Sequence, residues 1–222
     1  MSILMVAGLL VWGALTALDL VSVGQVMIAR PLVAGTVAGA LMGDPASGAL
    51  AGGLLELFAL ETLAVGGARY PDFGPAAVAA TAVVMHAPVE FALGIAGALG
   101  LAVAWLGEWS IIWMRRGTTR AVRARVAELD AGDVAVLRRL HRGAVTRDAL
   151  RGLALTAVGL LGAWAVRAYS LWEARPAVAV TLAVVGVGIG TALSAVLRLT
   201  GTTRRLGWLG LGVVAGVAWV LV

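Results

Sequence analysis

Hydrophobic and polar positions along this chain alternate in long blocks, and the lengths of the blocks are uneven. Residues 3 to 18 are apolar and close on Asp19; they lack the charged leader and A-x-A site of a cleaved signal, so a helix is expected there. The next eleven, "LVSVGQVMIAR", are mixed, and Arg30 is followed by Pro31, which predicts extended or broken chain. From Leu32 to Gly43 only twelve residues precede "GDPASG", too few to cross a bilayer at 1.5 Å per residue. A re-entrant or half-membrane segment fits that length. The next segment runs from Ala46 to about Val65, and Pro75 to Ala87 is again short. Residues 89–113, 152–172 and 176–199 are long enough to span, while Leu206 to Val222 is barely so.

Composition agrees with the blocks. Apolar residues make up 61%, charged residues 13%, and the mean hydropathy of +0.97 lies outside the range of soluble domains. The expected fold is all-α, a polytopic integral membrane protein of about six to eight membrane segments, some of them short or broken. With 222 residues there is room for one membrane domain and no separate soluble one. Its parts are a glycine-rich half (1–113), a basic cytoplasmic loop (114–151) and C-terminal transmembrane helices (152–222). Cysteine is absent, which excludes disulfides and thiolate metal sites.

All 17 basic residues are arginine, and ten of them fall in "RRGTTRAVRARVAELDAGDVAVLRRLHRGAVTRDALR", residues 115–151. A short basic loop between apolar spans is cytoplasmic by the positive-inside rule. Val122, Val126 and Leu129, then Val134, Leu137 and Leu140, recur at helical spacing, so two amphipathic helices are expected, lying against the membrane or a partner. Nucleic-acid binding is not expected, because no aromatics interleave with the arginines.

Gly35, Gly39 and Gly43 form a G-x-x-x-G series, and Gly48 and Gly52 repeat its spacing after the turn. Small residues four apart let membrane helices approach closely, so a tight helical hairpin is expected, with Gly43 and Asp44 at its turn and Asp44 as a cap. Glu56 continues the Gly48–Gly52 face and therefore points into protein. A carboxylate at membrane depth is costly and tends to bind a solute, relay protons or pair with a cation. Glu61 lies about 140° further round an ideal helix, so the two acids share a cavity only if the segment breaks. "AVGGARYPDFGP" supplies a break, with Gly66, Gly67, Pro71 and Pro75. Pairing of Glu56 or Glu61 with Arg30 or Arg69 is the purely structural alternative. For Arg69 and Asp72 a local ion pair or turn cap is expected. His86 and Glu90 flank Pro88 as a polar break, with too few ligands for a metal. "GVGIG" at 186–190 sits inside an apolar span and carries no nucleotide signal.

Read in order, Arg30-Pro31, Gly43-Asp44, Gly52-Gly53-Leu54-Leu55-Glu56, Val65-Gly66-Gly67 and Pro71-Asp72 resemble the landmarks of the membrane subunit IIC of mannose/fructose/sorbose-type sugar phosphotransferase permeases. The motifs lie within residues 20–80, and the resemblance continues through the basic loop, including His141. It implies a channel subunit in the bacterial inner membrane that binds and moves a hexose or amino sugar. It also implies a IID membrane subunit, IIA and IIB phosphocarriers, and a trimer of IIC–IID heterodimers in the lipid bilayer. Phosphoryl transfer then belongs to the partners, so the chain is not an enzyme by itself, and no catalytic residue, cofactor or metal is expected in it. For the sugar the resemblance points to Glu56. Gln25 and Asp72 are further acceptors, Glu61 is a weaker candidate, and Arg30 either holds Glu56 or donates to the sugar. Two departures stand out: Ala64 replaces a polar residue common in relatives, and Glu61 a small one. Ending at Val222, the chain is expected to carry a trimmed or rearranged C-terminal part. Two other readings remain open: a proton-coupled secondary transporter using Glu56, Glu61 and His86, and a non-transporting scaffold or sensor for phosphocarriers.

Overall fold

A computed structural model describes residues 1–62, 68–86, 89–169 and 175–197. Among them are eight helices and no strand: α1 Ile3–Val21, α2 Pro31–Met42, α3 Pro45–Ala59, α4 Phe73–Val84, α5 Val89–Arg123, α6 Val126–Asp130, α7 Val134–Ala168 and α8 Arg175–Leu197. Four contain stretches long and apolar enough to cross a membrane, while α2, α3 and α4 are shorter apolar helices. The chain is thus an all-α membrane protein, with short segments where the sequence places them. Gly66, Gly67 and the stretch from Leu206 to Val222 lie outside the described residues.

Local chemistry sets the helix ends. The Ser2 hydroxyl accepts the Met5 amide at the start of α1. Between α2 and α3 the chain reverses over Gly43, Asp44 and Pro45. Gly43 takes a left-handed φ of 96°, and the Asp44 carboxylate accepts the amides of Ala46 and Ser47. The Ser47 hydroxyl, which also donates to Asp44 at 2.6 Å, and the Ser47 amide hold that carboxyl below its usual pKa. Pro31 and Pro45 each occupy the first turn of a helix, where a missing amide proton costs nothing. The third segment stops earlier than its apolar pattern suggests, at Ala59, whose carbonyl accepts the Thr62 hydroxyl.

Glycines bring α2 and α3 into backbone contact. A methyl group on Gly35 would lie 2.6 Å from the Gly48 carbonyl oxygen, and one on Gly48 would lie 2.8 Å from the Gly39 Cα. All twelve residues of α4 are buried, and α1, α2, α3, α5 and α7 pack around it. Apolar all round and only twelve residues long, α4 is a core helix. α8 lies against α3 and α5, where the Gly94 amide donates to the Thr181 hydroxyl at 3.0 Å.

The basic segment differs from expectation. It is helical, but most of it continues the two long helices: α5 and α7 have 35 residues each, and only five-residue α6 intervenes. At 1.5 Å per residue each long helix reaches about 52 Å, roughly 20 Å more than the hydrocarbon core. The apolar positions at helical spacing stay uncovered on this chain: Val122, Val126, Val134 and Leu137 are all exposed.

A buried ionic network ties this long pair to the short helices. Arg151 on α7 donates to Asp148 at 2.9 Å, to Asp72 at 2.8 Å and to the Ser110 hydroxyl of α5 at 3.1 Å. The Ser22 hydroxyl, just past α1, donates to Asp148. Both carboxylates are fully buried, and the Arg151 side chain is 7% exposed. The expected Arg69–Asp72 pair is therefore corrected: Arg69 is exposed, and Asp72 turns inward to Arg151. Two features pull it in. The Asp72 amide donates to the Ala104 carbonyl at 3.0 Å, and Gly107 leaves the space that the Asp72 side chain fills.

Overpacking a tight contact costs roughly 1–3 kcal/mol, or about 2–4 °C per kcal/mol in a chain this size. Gly48→Val is therefore expected to lower the Tm in detergent by several degrees, whereas Gly8→Ala, with nothing within 4 Å, leaves it nearly unchanged. Arg151→Met leaves two buried carboxylates without their cation and is expected to cost about 3–5 kcal/mol. In the same denaturation assay, exposed Arg69→Met changes stability by less than about 0.5 kcal/mol.

Candidate functional site

The chain between α1 and α2 is folded around one carboxylate. Asp19, 4% exposed, accepts the amide of Val26 at 2.6 Å and that of Ala29 at 3.0 Å. The loop it gathers passes through positive φ at Gly24 (91°), Gln25 (53°) and Met27 (70°). Side-chain-bearing residues adopt that region at a cost of order 1–3 kcal/mol each, and persist there only where surrounding bonds enforce it.

Arg30 closes the loop and caps α2 without a side-chain cap bond. Its guanidinium pairs with Glu56 on α3, and the other Glu56 oxygen accepts the Leu32 amide at 3.1 Å. Glu56 thus binds both the cation and one of the unpaired amides at the N-terminus of α2. The pair is not sealed: the side chains are 40% exposed for Arg30 and 18% for Glu56.

A cavity of about 370 Å³ opens beside this pair. From the α1–α2 break, Asp19, Gln25, Met27 and Arg30 line it; from the end of α3 come Ala59 and Thr62; and before α4 come Tyr70, Pro71 and Phe73. Tyr70 is buried and held from the basic end of α5: Arg115 donates to the Tyr70 oxygen at 2.8 Å and to the Ala68 carbonyl at 2.7 Å. The same guanidinium lies over the Tyr70 ring, 5.2 Å from its centre. Carboxylate, carboxamide, guanidinium and hydroxyl groups beside two aromatic rings suit an uncharged polyhydroxyl solute. A ligand pocket with few, placed polar groups on an apolar lining has this character.

The sequence-derived candidates separate in space. Gln25 and Arg30 line the cavity, and Glu56 stands behind Arg30 as its partner. Asp72 does not line it; although Pro71 and Phe73 do, the carboxylate between them turns to Arg151, which corrects its expected place as an acceptor. Glu61 is half-buried just past α3 and is not among the lining residues. Gly52 lies in the hairpin contact, with Gly53 against the Leu32 side chain, and Gly43 and Asp44 sit at the hairpin turn. His86 is beyond the far end of α4, in a separate apolar groove with Arg167. Sequence reasoning passed over Asp19, Thr62 and Tyr70. The available signal for Asp19 was an acid at the end of an apolar helix, directly before chain that does not continue it.

Comparison with known proteins gives this geometry a context. Residues 3–197 match the family model for the sorbose-specific IIC component of the phosphotransferase system. A fructose permease IIC component of Bacillus subtilis (strain 168) is 35% identical over 171 residues, covering 76% of this chain and 62% of that protein. The mannose-specific EIIC component of Escherichia coli (strain K12) is 32% identical over 122 residues, 55% of this chain and 45% of that protein. The chain thus spans less than two thirds of the length of either relative in those alignments. Among solved structures, one described only as a membrane protein superposes with a TM-score of 0.75 at 22% identity, covering all of this chain and 95% of the other. A complex of the mannose transporter ManYZ with microcin E492 contains a chain that superposes with a TM-score of 0.64 at 23% identity and the same coverage. The structures share the fold, and the family match, which runs through both helix breaks and the cavity between them, extends to the sequence: this chain belongs to the sorbose-specific IIC component family of the phosphotransferase system.

Proposed function

We propose that this protein is the sugar-translocating membrane subunit of a mannose/fructose/sorbose-type phosphotransferase permease. The observation that carries the reading is the polar cavity where the α1–α2 break meets the chain before α4, inside the segment that holds the family landmarks. Broken helices with polar groups freed at membrane depth are how many transporters form a solute site. In this reading a hexose or amino sugar rests in the cavity, with Gln25, Arg30 and Asp19 bonding to its hydroxyls and Tyr70 or Phe73 under its ring. Charged partners roughly double the strength of each hydrogen bond, which offsets competition from water. Glu56 keeps Arg30 at the cavity wall and becomes a direct acceptor when that pair opens. Glu61, just past α3 and outside the lining, is the weaker candidate.

The protein works in the bacterial inner membrane with a IID subunit, as a trimer of heterodimers, and takes its coupling from IIA and IIB carriers. The sugar is phosphorylated by the partner IIB as it leaves on the cytoplasmic side, so the chain moves the substrate and its partners do the phosphoryl chemistry. Support for a membrane partner comes from the exposed row of Trp105, Trp109 and Trp113 on α5, which suits contact with lipid or another membrane helix. A proton path through Glu56, Glu61 and His86 finds no such support, because His86 lies in a different cavity from the Arg30–Glu56 pair.

Reconstitution with IID and phosphorylated IIB is expected to accumulate sugar phosphate inside vesicles; sugar uptake that needs no IIB would overturn the proposal. Glu56→Gln weakens one charge-assisted interaction worth about 1.5–3 kcal/mol. It is expected to raise the sugar Kd about tenfold or more in equilibrium binding, with the assembled complex retained. Normal affinity in a variant that assembles poorly would instead make Glu56 a purely structural residue.

A further inference from the structure

Beyond the membrane-depth part of α5, one face of the helix is basic. Arg115, Arg116, Thr119, Arg120 and Arg123 follow Ile112 at i+3, i+4, i+7, i+8 and i+11, the spacing of a single helical stripe. With Arg69 from the chain before α4 they enclose a cleft of about 350 Å³. Five of its seven lining residues are arginine, and none is acidic.

The arginines in this cleft differ from those with structural partners. Arg151 is held by Asp72 and Asp148, Arg30 by Glu56, and Arg125 by Glu128 at 2.9 Å. Among the described residues, Arg69, Arg116, Arg120 and Arg123 have no ion-pair partner, and all four are exposed; Arg116 lies over the Trp113 ring, 5.8 Å from its centre. Gathering like charges on one wall is unfavourable unless an anion answers them. Arg115, the fifth, is committed to Tyr70, and Tyr70 lines the sugar cavity. One side-chain contact therefore separates the cleft from the cavity.

We propose that this cleft binds the phosphate monoester of a sugar phosphate, holding the phosphorylated product beside the cavity it has just left. The inference rests on the transport reading above. Guanidinium groups match the oxygens of a phosphate dianion in paired hydrogen bonds, a geometry that a neutral sugar does not offer them. Substrate and product differ at just this group. The neutral sugar gains nothing from the cleft and stays in the cavity, whereas the product is drawn to the arginines and away from the path back. The selectivity is electrostatic, so it weakens as salt rises. Anionic lipid headgroups present the same phosphate chemistry and are the rival source of the ligand.

The test uses the full chain with its IID partner in nanodiscs of zwitterionic lipid. Mannose, mannose 6-phosphate, fructose, fructose 1-phosphate and inorganic phosphate are titrated at two salt concentrations. At least one sugar phosphate is expected to bind more tightly than its parent sugar, with affinity falling at the higher salt. Arg116→Gln, Arg120→Gln and Arg123→Gln combined are expected to weaken sugar-phosphate binding about tenfold or more, leaving sugar affinity and Tm unchanged. Sugar that binds normally while no sugar phosphate binds more tightly overturns the cleft and spares the transport reading. Loss of both ligands in the unmodified protein overturns the two together. Nanodiscs with added phosphatidylglycerol provide the remaining arm. If the triple variant loses bound phosphatidylglycerol while sugar-phosphate affinity is unaltered, the cleft is a headgroup site and the proposal fails.

Discussion

A helix of twelve residues rises about 18 Å, and the hydrocarbon core of a bilayer is about 30 Å thick. α2 and α4, with twelve residues each, and α3 with fifteen, therefore cannot place both ends in water while standing across the membrane. Ends that stop short must have their backbone groups satisfied inside the protein, because lipid offers no hydrogen bonds. Much of the polar architecture answers that demand. Asp19 binds two amides of the α1–α2 break, Glu56 binds the Leu32 amide, and the Ala104 carbonyl on α5 takes the Asp72 amide. The cavity lies where these ends come together, so the groups available to a solute belong to the same set that lets the short helices exist.

Satisfying buried ends brings its own charges, and these differ in how far each is open to solvent. The Asp72–Arg151–Asp148 cluster is closed to solvent and reaches the end of α1, the start of α4, α5 and α7 at one level. Breaking a buried pair is expensive, whereas an exposed one contributes little. Arg30 and Glu56, by contrast, remain partly exposed beside the cavity. A pair in that position can exchange its partner for a ligand hydroxyl or for water at small cost. One network thus fixes the frame, and the other borders the cavity, partly open to water.

Much of this frame was legible before any coordinates. The spacing of Gly35, Gly39, Gly48 and Gly52 is a local, period-four pattern, and the hairpin it predicts is the one observed. Short apolar runs between polar interruptions likewise read directly as short helices. Long-range pairing was not legible. Asp72 and Arg151 are 79 positions apart, and nothing in the spacing of either favours that pair over Arg69, three residues from Asp72. Asp19 was passed over for a related reason: its partners are backbone amides, which carry no sequence signature. In the basic segment periodicity identifies helices with one apolar face, but not that most of their residues continue α5 and α7.

The burial of α4 also bears on how the centre of the protein is ordered. Its sequence, FGPAAVAATAVV, is mostly alanine and valine, and every residue is enclosed. Burying alanine costs almost no rotamer freedom, so this centre is ordered at little entropic expense. A surface of methyl groups is also smooth, without the long ridges that lock one helix into the grooves of another. Tight backbone contacts bind α2 to α3, and the small side chains of α4 let that pair lie close against it, with the Thr81 hydroxyl donating to the Gly35 carbonyl at 3.4 Å. An alanine-rich centre of this kind acts as a slim spacer that the surrounding helices approach closely on every side.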